Sequence, residues 1–76
     1  MGTPSKFSQE EIEHEVTIII NIIRSKNWEG QRNILSAYLT LVHNLATGLH
    51  DSFKQRHYFT IIRSQQSLHG INITIF

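Results

Sequence analysis

The chain has no cysteine. Disulfides and thiolate zinc sites are therefore excluded, although a chain of 76 residues ordinarily needs such support. A domain this small buries only about 60% of the surface its unfolded form exposes. Disulfides, metals and oligomerisation are the usual remedies, and association is the one expected here. A cysteine-free chain also fits a reducing compartment, so the cytoplasm is the expected location. No apolar run approaches the roughly 20 residues that span a bilayer. The most apolar stretch, Ile18 to Ile23, is broken by Asn21. The opening Met-Gly-Thr-Pro-Ser-Lys has no apolar centre of the kind a signal peptide requires. Residues 1–7 are read as a flexible arm, residues 8–66 as a helical domain and residues 67–76 as a tail.

Acidic residues are scarce beyond Gly30: Asp51 stands alone there against Arg32, Lys54, Arg56 and Arg63. Glu10, Glu11, Glu13 and Glu15 crowd one short stretch instead. The formal charge of +1 is close to balance, which argues against a strongly cationic nucleic-acid binder. The distribution is nevertheless polar, with an acidic beginning and a mildly basic second half.

What the chain does contain is helical periodicity. Ser8 followed three residues later by Glu11 has the spacing of a capping box, and Phe7 with Ile12 that of a hydrophobic staple. Glutamates in the first turns suit the positive end of a helix dipole. A first helix is expected from Gln9 to Arg24 or Ser25. Ile12, Val16, Ile19, Ile20 and Ile23 share one face, while Ile18 and Ile22 fall on another. Such a helix needs cover on two sides, and a second subunit could supply it. The β-branched run Val16 to Ile20 also suits a strand, but the capping signals and the length favour a helix.

Lys26 to Gly30 reads as a turn, with Trp28 folding back on the core. A second helix is expected from Gln31 to Thr47, carrying the stripe Ile34, Leu35, Tyr38, Leu39, Val42 and Leu45, with Leu41 off it. Gly48 stops it. Asp51 or Ser52 caps a third helix that ends near Gln65, with Phe53, Tyr58, Phe59, Ile61 and Ile62 as its apolar content. Short connections favour an antiparallel helical hairpin plus a third helix. Ile71-Asn72-Ile73-Thr74-Ile75 alternates with a period of two, as an extended segment would.

Chemistry-bearing patterns are weak. His43, His50 and His57 are seven apart, but Gly48 interrupts any helix that would align them, and no histidine pair has the i, i+4 spacing of a helical metal site. The five histidines would carry the charge from +1 to about +6 if all were protonated, a pH response available to unperturbed imidazoles. The glutamate cluster lacks the glycine-bearing oxygen loop of a calcium site. Ser36, Ser52 and Ser64 form no recognisable arrangement with a base, and Gly-rich phosphate loops are absent. No enzyme activity, cofactor, metal or small-molecule substrate is expected. Lys54, Arg56, Tyr58 and Arg63 could form a basic, aromatic face on the third helix for nucleic acid or a partner.

Three segments resemble the small enterobacterial AriR/YmgB proteins over roughly residues 10–65. They are Glu-Ile-Glu-His-Glu-Val-Thr-Ile-Ile-Ile-Asn-Ile-Ile (11–23), Leu-Val-His-Asn-Leu-Ala-Thr-Gly (41–48), and Lys-Gln-Arg-His-Tyr (54–58) followed by Ile61-Ile62. The resemblance implies a helical homodimer similar to Hha-type regulators. It further implies a part in biofilm formation, acid resistance or modulation of a phosphorelay.

The expectation is thus an all-α, three-helix, dimeric regulatory adaptor that works through protein–protein contact. Ile18, Ile19, Ile22, Ile23, Leu39 and Val42 are expected to carry core and dimer packing. Two rivals stand beside it: a direct nucleic-acid binder using the third helix, and a stoichiometric inhibitor of an enzyme.

Overall fold

The computed structural model describes residues 8–73. It contains three helices, α1 (Gln9–Ser25), α2 (Arg32–Thr47) and α3 (Ser52–His69), and no strand among the described residues. α1 packs on α2, and α2 on α3.

The capping box at the start of α1 forms as its spacing requires. The Glu11 N–H donates to Ser8 Oγ at 3.2 Å, and the Ser8 N–H donates to Glu11 Oε1 at 2.8 Å. Two helix-end donors are thereby satisfied. Phe7, the outer half of the expected staple, lies outside the described residues. The β-branched run is helical because four of its neighbours on one stripe, Val16, Ile19, Ile20 and Ile23, are buried together. Burial outweighs the few tenths of a kcal/mol per residue that separate helix propensities.

α1 ends at Lys26, and Trp28 turns back into the core. The indole is 4% exposed. Its Nε1–H donates to the Ile23 carbonyl at 2.7 Å, which meets a carbonyl left open at the helix end. Lys26 Nζ lies 5.1 Å from the centroid of the same ring, within cation–π range. Gly30, at φ 76°, makes the turn into α2.

Gly48 ends α2 after Thr47, as expected. It is right-handed, at φ −82°, so it is not a left-handed stop. A Cβ at this position would stand 3.4 Å from Ile12 Cδ1 of α1, so Gly48 lies against the first turn of α1. Asp51 caps α3, accepting from the N–H groups of Phe53 and Lys54 at 2.9 and 3.2 Å.

α3 runs to His69, one turn beyond the expected end near Gln65. Gly70 stops it at φ 63°. The Gly70 N–H donates to the Ser67 carbonyl and the Ile71 N–H to the Gln66 carbonyl, the pairing of a Schellman end. This places Ile71, 6% exposed, in the core, with Ile73 half-buried against it. The alternation in this segment therefore anchors it to the helices. Its remaining residues, 74–76, lie outside the described part.

The core comprises Val16, Ile19, Ile20, Ile23, Trp28, Leu35, Leu39, Val42, Ile62 and Ile71. One chain thus covers the main stripe of the isoleucine-rich helix, Val16, Ile19, Ile20 and Ile23, with α2, the aromatic side of α3 and Trp28. The second face is left partly open, with Ile18 40% exposed.

Candidate functional site

Bonds between helices show which side of the α1–α2 pair α3 occupies. From α1, Glu13 Oε1 accepts from Lys54 Nζ at 2.7 Å, and the Thr17 hydroxyl lies 3.4 Å from the Tyr58 hydroxyl. From α2, His43 stacks on Phe59 with ring centroids 4.8 Å apart. Gln55 Nε2 donates to the carbonyls of Ala46 and Thr47 at 3.1 and 3.2 Å.

At roughly 100° per residue, Ile18 and Ile22 point away from Glu13 and Thr17. Ile34, Tyr38, Leu41 and Leu45 likewise point away from His43. These six residues therefore share the side of the α1–α2 pair opposite α3. Ile18, Ile34 and Leu41 are 40%, 48% and 44% exposed. Ile22, Tyr38 and Leu45 are half-buried against the core. Helix α1 continues this face as one stripe, Glu11, Glu15, Ile18 and Ile22 at i, i+4, i+7 and i+11. It is acidic in its first half, apolar in its second, and followed by Lys26.

The six residues expected to carry core and dimer packing divide between two places. Ile19, Ile23, Leu39 and Val42 are core. Ile18 lies on the open face and Ile22 at its margin. Ile34, Tyr38 and Leu45 were grouped with the core stripe of α2, and Leu41 was set apart from it. The seven-residue spacings of Ile34 with Leu41 and of Tyr38 with Leu45 were the available signal.

The basic face expected on α3 does not come together. Lys54 is held by Glu13, the sole ion pair among the described residues. The hydrogen bond from Lys54, aided by its charge, holds the Glu13 carboxyl below its usual value and raises Lys54 above its own. Tyr58 is half-buried toward α1. Arg56 and Arg63, seven residues apart, remain exposed on the other flank of α3.

Phe53 and Leu68, 79% and 73% exposed, stand as single apolar side chains on α3. No group of three metal-ligating side chains occurs among the described residues. The hollow beside His43 holds no hydroxyl or carboxylate side chain. The one beside His14, lined by Glu10, Glu11 and Glu15, holds no hydroxyl. No described helix is long and apolar enough to cross a membrane.

Comparison with known proteins returned no match to a family model, a curated protein or a solved structure.

Proposed function

We propose that the protein is a non-enzymatic regulatory adaptor that acts through protein–protein contact and pairs with a second copy of itself across the open α1–α2 face. The observation that carries this reading is the exposure of Ile18, Ile34 and Leu41, which helical geometry sets on one side of the α1–α2 pair. Exposed apolar clusters of this kind mark interaction surfaces.

The occupant follows from charge. Antiparallel pairing of two α1 helices about the midpoint of Ile18 and Ile22 sets Glu15 of one chain opposite Lys26 of the other, with Glu11 one turn further out. It also opposes the helix dipoles favourably. Parallel pairing would set glutamates against glutamates. A two-fold arrangement of this sort is the commonest form of homo-oligomer. Regulation of biofilm formation, acid resistance or a phosphorelay is the physiological setting that the resemblance in the helices suggests.

Sedimentation at micromolar concentration tests the pairing. The wild-type chain is expected at twice its monomer mass, and Leu41→Glu at the monomer mass with unchanged helicity. Glu15→Lys and Lys26→Glu should each weaken the dimer about tenfold or more, and the double variant should restore it. A wild-type chain that stays monomeric at these concentrations overturns the reading. The nucleic-acid reading by way of α3 loses Lys54 and Tyr58 to contacts with α1, so it ranks below the adaptor.

A further inference from the structure

The side of the α2–α3 pair turned away from α1 carries a different surface. Three hollows adjoin along it. The first, about 270 Å³, is lined by His43, Phe59, Ile62, Arg63 and Gln66. The second, about 460 Å³, shares Arg63 and Gln66 with the first and extends to Ser67 and Gly70–Asn72. The third, about 270 Å³, shares Ile71 and Asn72 with the second and adds Arg32, Asn33 and Ser36. Shared linings make these hollows one groove.

Among the described residues its lining contains two arginines, an imidazole, amides and hydroxyls, and no carboxylate side chain. All six acidic residues of the chain lie elsewhere: four in α1, Glu29 in the first turn and Asp51 at the cap of α3. A concave surface with cations and no opposing acid concentrates anions even when the net charge is small.

One residue locates the anion within the groove. Arg63 belongs to both of the first two hollows and takes no part in an ion pair among the described residues. Arg32 also contributes charge, although one of its nitrogens is committed to the Gly70 carbonyl.

We propose that this groove binds the phosphate group of an organic phosphate, with Arg63 as the anchoring residue. Arg63 and Gln66 line both of the first two hollows, and a guanidinium fork pairs with two phosphate oxygens at once. Hollows of this size exceed a bare phosphate and leave room for what it is attached to. The stacked His43–Phe59 pair offers that moiety a flat wall. A free nucleotide and a nucleic-acid strand both present this chemistry. Arg56, two turns from Arg63 on the same flank of α3 and about 10 Å away along the helix axis, lies outside the groove and is a contact that a strand extending past Arg63 would make.

Backbone and side-chain NMR titration of the full chain in low salt tests the site, using inorganic phosphate, adenosine monophosphate and a single-stranded oligonucleotide as probes. Saturable shifts confined to His43, Arg63, Gln66 and their neighbours are expected. Arg63→Gln should weaken binding at least about tenfold, and Arg24→Gln, on α1, should leave it unchanged. Loss of strand binding in Arg56→Gln with mononucleotide binding intact identifies a strand as the ligand. Equal binding by wild type and Arg56→Gln identifies the free nucleotide. The proposal fails if none of the probes gives saturable shifts, or if Arg63→Gln binds as well as wild type. The monomeric Leu41→Glu variant should still bind, so failure of the dimer reading leaves this result interpretable.

Discussion

The two sides of the α1–α2 pair are built from similar residues and meet opposite fates. On the side of α3, Ile20 is 5% exposed, and the groove is closed by Tyr58, Phe59, Ile61 and Ile62. On the other side, Ile18, only two residues away, is 40% exposed, and no helix among the described residues closes over it. Hydrophobicity is the same at both positions. What differs is the presence of a third helix, and the described residues hold only one to share between two sides.

Paired substitutions bring this contrast into the open. The largest effect is expected at Ile20→Ala, which removes buried methyl groups and leaves a cavity. A loss of about 2–5 kcal/mol is expected in urea or thermal melts. Ile18→Ala in the dissociated chain should stay within about 0.5 kcal/mol of wild type. Equal losses at the two sites in dilute solution would erase the distinction between covered and open sides. The wild-type melting temperature should also rise with protein concentration, because association stabilises the folded state by mass action, and Ile18→Ala should flatten that dependence.

Gly70→Ala ranks next. A Cβ there meets only the flexible end of Arg32, at 3.8 Å, but φ is 63°. The strain of a left-handed alanine is about 1–2 kcal/mol. The substitution should also loosen Ile71, which hydrogen exchange at its amide would report. Ser8→Ala, which breaks the capping box, should cost about 1 kcal/mol, measurable as lost helicity at the start of α1.

The smallest effect concerns the Glu13–Lys54 pair, which ties α3 to its own side. The depressed Glu13 pKa makes the carboxylate's contribution present above its unfolded value of 4.5 and lost as pH falls through the lower folded value. The raised Lys54 pKa makes the ammonium's contribution present below its unfolded value of 10.5 and lost as pH rises through the higher folded value. Both groups are partly exposed, so the effect is small and screened by salt. Glu13→Gln should remove the acid-side dependence in low salt and leave melts in high salt nearly unchanged. A persisting acid-side slope would place it on another carboxylate.

The same asymmetry explains why the candidate face was only partly legible. Ile18 and Ile22 were set apart from the main stripe of α1 by period alone. Period could not say that α3 would close on Ile20's side, because that depends on contacts between residues 41 positions apart, such as Glu13 with Lys54 and Thr17 with Tyr58. The basic face failed for a related reason. Lys54, Arg56, Tyr58 and Arg63 are near one another in sequence, yet at roughly 100° per residue they fall on two flanks of α3. One flank turns toward the glutamates of α1. The groove with Arg32, His43 and Arg63 joins α2 to α3 across loops and had no local signature at all.

Local chemistry in the sequence was sufficient for the three helices, their order and their caps. Ser8, Glu11 and Asp51 act on N–H groups within three residues, and apolar spacing needs only the pitch of the helix. The tertiary structure alone decided which side of the hairpin α3 would cover, how far α3 would run before Gly70, and where Ile71 would be buried. Those outcomes rest on shape and charge matching between distant residues, to which a one-dimensional period is blind.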